Sequence, residues 1–310
     1  MLRKSIPCIA LALAGVAAAQ QSHLSGPNSG RIFDPVTRSI RWIVGVPGAA
    51  YLGSAAESDL DAGSVSPDGR FTLASRNGEI SLIRAEGVAD LGSAGKIEEF
   101  AWSADGKSAA IRGASVRLYR NLDSETRMIE LAAPASGIRA IAVEPGADAV
   151  LAIAGDGLYR LTAAGARLVA TVEEPSALAV AMGTAYVASR SRNEILRVAN
   201  YRDSADISLI TSSIDDPAAL ATSADGEILL IAARAGRSIS ILRSATGEVT
   251  GKVDLDFEPT RIAPAGDGLF QLNSRSSAEE PVYVFDPRQR SVFFIPTQDL
   301  TAQAANSVED

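Results

Sequence analysis

The amino-acid sequence predicts an all-β protein, a β-propeller with six or seven blades of four antiparallel strands each. Three observations support this prediction. Short apolar segments alternate with Asp-Gly and Asn-Gly turns. The pattern repeats at a period of about 40 residues, which is typical of propeller blades. The third observation is a separate motif, beginning with Phe-Asp-Pro, that occurs near both ends of the chain. After the first 19 residues no segment shows helical periodicity over three turns.

The chain begins with a segment, residues 1–19, that has the three parts of a signal peptide. Arg3 and Lys4 precede a short apolar run at 6–14, and three alanines end the segment. The run is too short for a membrane span of about 20 residues. We expect cleavage after about Ala19, a periplasmic or secreted protein, and no integral membrane segment in the mature chain.

The remaining chain divides into three parts. Residues 20–30 are rich in Gly, Ser and Asn and are expected to form a flexible lead, which holds the single histidine, His23. Residues 31–296 are expected to form one propeller domain. Residues 297–310 are polar and acidic and are expected to form a loose tail.

The internal repeat defines the blades. The segment VSPDGRFTLASRNGEISLIR at 65–84 reads as strand, turn, strand, turn and strand, and the same order returns at 101–120 and 222–243. The turn glycines Gly69 and Gly106 are 37 positions apart. Weaker copies begin near Ala142, Ala179 and Ala263. These copies predict six inner hairpins.

The motif at the two ends concerns closure of the ring. FDPVTRSIRWI at 33–43 and FDPRQRSVFFI at 285–295 share Phe, Asp, Pro, Arg, Ser and Ile at the same offsets. Each copy predicts a hairpin of the two outer strands of a blade, with Asp-Pro starting the turn. A ring closed by N- and C-terminal strands follows, and a seventh blade would be shared by the N-terminal segment and the tail.

The Ser-Pro-Asp-Gly and Ser-Ala-Asp-Gly turns at 66–69, 103–106 and 223–226, each followed by an apolar strand, resemble the WD40-like repeats of bacterial TolB-type propellers. The segment 238–273 is similar to the YVTN-type repeat of surface and periplasmic propellers. The resemblance covers residues 60–296 and implies the architecture. The Trp-Asp and Gly-His pairs of WD40 repeats are missing from the sequence, so TolB's partners do not carry over.

Composition excludes several function classes. A net charge of −8 argues against nucleic-acid binding, which needs a basic surface. One cysteine and one histidine exclude a disulfide scaffold and a Cys/His metal cluster. We interpret the aspartates of the Ser-x-Asp-Gly turns as turn residues, because they lie on separate blades and cannot converge on one ion. No catalytic residue, metal ligand or cofactor is therefore predicted.

Two charged features recur at fixed places in the repeat. Acidic residues precede proline just before the inner strand of three blades, at intervals of 42: Glu174, Asp216 and Glu258. An arginine closes the second strand in five blades: Arg76, Arg112, Arg190, Arg234 and Arg275. In a propeller these two connections lie on the same face. The sequence therefore predicts both sets around one mouth of the central channel.

These charges have two interpretations. They could be exposed ion pairs, each contributing about 0–1 kcal/mol, or a recognition surface for a peptide or anionic glycan, because arginine binds carboxylates well. The favoured function is an exported, monomeric, non-enzymatic propeller that binds an envelope or extracellular protein or glycan. The alternative is a calcium-dependent enzyme acting on a carbohydrate or lactone, with carboxylates from this set: Glu98, Glu99, Glu173, Glu174, Asp215 and Asp216.

Overall fold

The computed structural model describes residues 28–46 and 48–296, and throughout these ranges the chain forms antiparallel sheets without a helix. Seven sheets, each built from strands that follow one another in sequence, are arranged around a central channel. This confirms the predicted propeller and gives seven blades. The predicted signal peptide, most of the predicted lead and the predicted tail lie outside the described residues.

Blade 1 has three strands in the described part of the chain, and the other six blades have four. Blade 1 consists of β1 (Asn28–Asp34), β2 (Ser39–Val44) and β3 (Tyr51–Glu57). Blade 2 consists of β4 (Ala62–Val65), β5 (Thr72–Arg76), β6 (Glu79–Arg84) and β7 (Gly87–Ser93). Blade 3 consists of β8 (Glu99–Trp102), β9 (Ala109–Arg112), β10 (Val116–Arg120) and β11 (Arg127–Leu131).

Blades 4 to 7 continue the same order along the chain. Blade 4 consists of β12 (Ile138–Val143), β13 (Val150–Ala154), β14 (Gly157–Thr162) and β15 (Gly165–Thr171). Blade 5 consists of β16 (Pro175–Ala181), β17 (Thr184–Ser189), β18 (Glu194–Ala199) and β19 (Asp206–Thr211). Blade 6 consists of β20 (Pro217–Thr222), β21 (Ile228–Ala233), β22 (Ser238–Arg243) and β23 (Val249–Asp254). Blade 7 consists of β24 (Ala263–Gly266), β25 (Leu269–Gln271), β26 (Val282–Asp286) and β27 (Ser291–Ile295).

The ring closes where the first blade meets the last. Strand β1 contacts β4 on one side and β24 on the other, so N- and C-terminal strands lie together as expected. Within the described residues, however, no sheet combines strands from both ends, and the first blade is built from residues 28–57 alone. The expected contribution of the tail to this blade lies outside the described residues, and the shared seventh blade stays a prediction.

The repeated Phe-Asp-Pro motif occupies different places in the two blades. Its second copy joins β26 and β27, the outer strands of blade 7, as predicted. Its first copy joins β1 and β2, and β1 is the strand of its sheet that faces the inner strands of both neighbours. An Asp-Pro turn can join two strands at any distance from the channel axis. The motif therefore does not predict whether its hairpin is formed by inner or outer strands of the blade.

Small side chains allow the blades to pack closely near the axis. Between blades 5 and 6, Ala177 and Ala179 of β16 pack with Leu229 and Ile231 of β21 in one buried cluster. Inner strands converge toward the channel, so an alanine there and a larger residue further out fill the wedge between two twisted sheets. The high alanine and low aromatic content of the sequence follows from this geometry.

The Ser-x-Asp-Gly turns have the predicted turn chemistry. Ser66 Oγ donates to Asp68 Oδ1 at 2.6 Å and accepts from the Phe71 N–H at 3.0 Å. Gly69, at φ 73°, supplies the left-handed residue that the turn requires. The same arrangement recurs in blades 3 and 6. These turns join first to second strands on one side of the ring, which we call the turn face.

In blades 2 to 7, connections from second to third strands, and from one blade to the next, lie on the opposite side, which we call the loop face. In blade 1 the connection from β1 to β2 lies on this face, because the Arg38 carbonyl accepts the N–H of Leu60 from the connection to blade 2. Each of blades 2 to 7 adds a second-to-third connection to this face, so features at fixed places in the repeat are displayed around the channel mouth. The described chain contains no helix long and apolar enough to cross a membrane.

Candidate functional site

The predicted charges lie at the loop face. Arg76 and Arg112 end β5 and β9, while Arg190 and Arg234 directly follow β17 and β21. On the acidic side, Glu174 and Asp216 directly precede the prolines that start β16 and β20. Second strands end, and inner strands begin, on this side of the ring, so the repeat displays both sets here.

Asp216 connects blades 5 and 6. Arg190 Nε lies 2.9 Å from its Oδ1, and Arg234 Nη1 lies 3.9 Å from its Oδ2. The backbone N–H of Arg234 also donates to the Asp216 carbonyl at 2.9 Å. The carboxylate is about a quarter exposed and both guanidinium groups are more exposed than that. One acid thus holds two arginines that keep N–H donors at the surface.

A pocket of about 330 Å³ lies between blades 4 and 5 beside this cluster. Its lining is formed by Arg139, Glu174, Pro175, Ser176 and Arg190. Glu174 forms no ion pair with any described residue, so its carboxylate is available at the pocket. Sequence reasoning missed Arg139 and Ser176, although both lie at the start of an inner strand where comparison of the repeats would have drawn attention to them.

Glu174 and Asp216 share an unusual backbone conformation. Their φ angles are 41° and 51°, in the left-handed region that residues with a side chain rarely adopt. In each blade the carbonyl of this residue accepts the N–H of the arginine after the second strand, at 3.0 Å from Arg190 and 2.9 Å from Arg234. Strained residues of this kind cluster at functional sites and binding clamps.

The other predicted residues form separate ion pairs. Arg112 contacts Glu98, and its Nε donates to Glu99 Oε2 at 3.0 Å. Arg76 lies 3.5 Å from Glu57 and donates to the Ser58 carbonyl at 2.7 Å. Glu258 lies 3.6 Å from an arginine, Arg237, that was not among the predicted residues. These pairs extend the charged surface around the ring.

Arg275 does not belong to this surface. Its side chain is 2% exposed and contacts Asp34 at 2.5 Å, and the carboxylate of Asp34 is fully buried. The guanidinium also donates to the carbonyls of Glu280 at 2.7 Å and Ala278 at 2.8 Å. The prediction of a binding role for Arg275 is therefore wrong, because this arginine joins blade 7 to blade 1 in the interior.

The central channel has a volume of about 1080 Å³ and a mainly apolar wall. Large apolar residues from five inner segments line it: Phe100, Ile141, Leu178, Leu220 and Ile262. Charged groups concentrate toward the ends, where the turn-face mouth carries the aspartates of separate blades: Asp68, Asp105, Asp225 and Asp267. The polar surface predicted around the channel is thus confined to its mouths. Arg261 lines the channel and was missed by sequence reasoning.

Glu99 lines the channel near its loop-face end. Burial raises the pKa of Glu99. The hydrogen bonds from Arg112 and from the Ile141 N–H, at 3.2 Å, lower the pKa by a smaller amount. In the described part of the chain, no group of three or more His, Cys, Asp or Glu side chains could hold a metal ion. The convergent carboxylates that the calcium-dependent alternative requires are therefore not found among these residues.

Comparison with known proteins supports the architecture. The sequence matches no protein-family model, and no curated protein matches it. Hydrazine synthase of Kuenenia stuttgartiensis is similar in structure, with 13% identity, a TM-score of 0.53 and coverage of 90% of this chain and 98% of that chain. A functionally unknown protein from Desulfotomaculum acetoxidans has 13% identity and a TM-score of 0.58, and the match covers 87% of this chain and 95% of that chain.

A third structure is the dihydro-heme d1 dehydrogenase NirN in complex with DHE. It has 13% identity and a TM-score of 0.53 and covers 88% of this chain and 64% of that chain. At such identity the likeness shows the propeller fold alone. The neighbours include enzymes, so the fold by itself does not assign an activity. The resemblance to WD40-like or YVTN-type repeats stays a prediction.

Proposed function

We propose that this protein is an exported, non-enzymatic propeller that binds a protein partner through the loop face of blades 4 to 6. The observation that carries the proposal is the cluster of Arg190, Asp216 and Arg234, which adjoins through Arg190 the pocket lined by Arg139 and Glu174. Loops held on a rigid sheet scaffold are well suited to recognition.

The chemistry of this group favours a charged protein segment over a glycan. Arg190 and Arg234 keep exposed donors that match a partner carboxylate, whereas Glu174 offers a carboxylate without an ion-pair partner among the described residues. A surface with both signs of charge a short distance apart complements a segment that carries both signs. Such complementarity supplies specificity and a faster association rate.

A triple variant tests this surface. Arg190→Ala, Asp216→Ala and Arg234→Ala together remove two positive charges and one negative charge from the loop face. The matched control is Arg70→Ala, Lys107→Ala and Asp123→Ala, which removes the same charges from the turn face, where Lys107 and Asp123 form an exposed pair at 3.0 Å. Both proteins are immobilised and used to capture proteins from envelope extracts, and their folding is compared by circular dichroism.

We expect the loop-face variant to lose a partner that the unchanged protein and the turn-face control both retain. Equal capture by all three proteins would contradict the proposal. Capture of an acidic polysaccharide in place of a protein, abolished by the same loop-face changes, would keep the surface but overturn the assignment of a protein partner.

A further inference from the structure

The mainly apolar channel wall contains an arginine, Arg261, that forms no ion pair with any described residue. Arg261 lies two positions before β24, on the segment by which blade 7 lines the channel. In the 42-residue spacing of blades 5 to 7, the corresponding residues are Ala177 and Ala219, which also line the channel. A cation thus occupies a position where the neighbouring blades have a small apolar side chain.

The backbone holds Arg261 in a defined place. The N–H groups of Thr260 and Arg261 both donate to the Leu272 carbonyl, at 3.1 and 3.2 Å. Two residues of one strand thus lie opposite one residue of its neighbour. This is the arrangement of a β-bulge, which redirects a side chain at the edge of a sheet. Blades 5 and 6 show register shifts at the matching places, directly before Ala177 and Ala219.

Among the described residues, Arg261 has no ion-pair partner and no side-chain hydrogen bond. Glu98 and Glu99, which also line the channel, are both paired with Arg112. Arg139, a further charged residue of the lining, donates to the Gly155 carbonyl. Burial lowers the pKa of Arg261, and no carboxylate offsets that effect. An arginine remains charged in proteins, so its guanidinium is a positive group without a counterion in an apolar tunnel.

The space around Arg261 suits a small molecule. Alanines near this level leave the channel open, and the leucines and isoleucines next to them supply an apolar wall. The channel volume of about 1080 Å³ is slightly above the usual range for ligand pockets, roughly 300–1,000 Å³. Such pockets combine a mostly apolar lining with a few polar groups that fix the orientation of the ligand.

We propose that the channel binds a small molecule with an apolar body and one anionic head, a carboxylate or a phosphate, and that Arg261 receives the head. The guanidinium offers two parallel N–H donors to either group. The apolar body lies along the wall formed by Leu178, Leu220 and Ile262. This site is inside the ring, whereas the partner surface is on the loop face; Arg139 and Ser176 line both the channel and the loop-face pocket.

Isothermal titration of the full chain with decanoate, decyl phosphate and 1-decanol tests the proposal. The variants are Arg261→Gln and Arg261→Lys. The matched control is Arg288→Gln, because Arg288 also lines the channel but faces Asp267 at 3.8 Å and Asp286 at 3.2 Å. Circular dichroism at the temperature of the titration checks that each variant is folded.

We expect saturable binding of at least one anion. Arg261→Gln should weaken this binding roughly 10- to 100-fold, because that is the loss expected when a hydrogen bond to a charged group is removed. Arg261→Lys should retain part of the affinity for the anion. The uncharged 1-decanol should bind equally to the unchanged protein and to Arg261→Gln. The stronger of the two anions identifies the head group. No saturable binding of either anion at millimolar concentration would overturn the proposal, as would the same loss in Arg288→Gln.

A steric variant covers the case in which Arg261→Gln does not fold. Ala219→Met keeps the charge and narrows the channel near Arg261, so it should weaken binding of decanoate and of decyl phosphate alike. Unchanged affinity in Ala219→Met would contradict the placement of the ligand in the channel. Partner capture by the loop face is measured separately, so failure of either proposal is recognised independently of the other.

Discussion

At the scale of single residues, charged side chains in this propeller serve different purposes according to burial. Arg190 and Arg234 are partly exposed and share one acid, Asp216. Arg275 is enclosed and bonded on several sides. The repeat places an arginine near the end of the second strand in each case, but the surroundings decide between a surface contact and an internal connection.

The buried pair of Arg275 and Asp34 leads to a stability prediction. Arg275→Met leaves the buried carboxylate of Asp34 without its cation, which costs about 3–5 kcal/mol in the free energy of unfolding. The control is Arg192→Met, because Arg192 and Glu173 form a 2.9 Å pair in which both side chains are more than half exposed. That change should cost no more than about 1 kcal/mol. Equal losses in urea unfolding would contradict the assigned role of Arg275.

The Ser-x-Asp-Gly turn leads to a prediction about pKa. The Ser223 hydroxyl, which donates to Asp225 Oδ1 at 2.5 Å, and the Glu227 N–H, at 3.0 Å, hold the pKa of Asp225 below its ordinary value. The associated stability is present above the unfolded pKa of about 3.9 and is lost as pH falls through the folded pKa.

Ser223→Ala removes the hydroxyl, and we expect the pKa of Asp225 measured by carboxyl NMR to rise toward its ordinary value. Stability should then depend less on pH in the acidic range below about pH 4. Ser213→Ala is the control, because the Ser213 hydroxyl bonds to Thr211 and not to a carboxylate. An unchanged pKa in Ser223→Ala would show that the hydroxyl does not set it.

At the scale of strands and blades, the junction between blade 1 and blade 7 is the place where closure depends on a particular residue. Gly30 of β1 lies so close to β24 that a β-carbon would overlap the carbonyl oxygen of Ala265. Gly30→Ala must therefore separate the two strands, at a cost of about 1–3 kcal/mol. This change should lower the Tm by several degrees.

Gly165→Ala is the matched control for Gly30→Ala, because a β-carbon at Gly165 in β15 would meet nothing within 4 Å. Its Tm should change little. The comparison uses calorimetry under identical conditions. If both variants melt at the same temperature as the unchanged protein, the ring does not depend on close contact between β1 and β24.

Much of the fold could be predicted because turn chemistry is local. The serine, aspartate and glycine of each Ser-x-Asp-Gly turn satisfy one another, as at Ser66, Asp68 and Gly69, so their spacing located the inner hairpins. The position of the first Phe-Asp-Pro copy within its blade could not be predicted. It depends on contacts of β1 with β4 and β24, and β24 is distant from β1 in sequence.

The candidate sites were predictable to a smaller extent. The arginines and acids of the loop face recur at fixed intervals, which is why Arg190, Glu174 and Asp216 were found from the sequence. Arg261 breaks the repeat once, and only the closed ring shows that it stands in an apolar channel without an ion-pair partner in the described chain. Arg275 has the right spacing but is buried, and spacing carries no information on burial.

At the scale of the whole molecule, the ring separates three environments. The loop face carries charges of both signs, the turn-face mouth carries the aspartates of the turns, and the channel between them is mainly apolar. A closed ring keeps these surfaces fixed relative to one another, because inner strands of neighbouring blades contact one another, as β16 does with β12 and β20. Binding at the loop face requires little rearrangement of such a scaffold.

The most direct test of the account is the dissociation constant of the captured partner for three proteins: the unchanged chain, the loop-face triple variant and the turn-face triple variant. We predict a loss of at least about 10-fold for Arg190→Ala, Asp216→Ala and Arg234→Ala together, since ordered charge-assisted contacts are removed. The turn-face control should bind like the unchanged chain. Equal dissociation constants for all three, or a greater loss in the turn-face variant, would contradict recognition through the loop face.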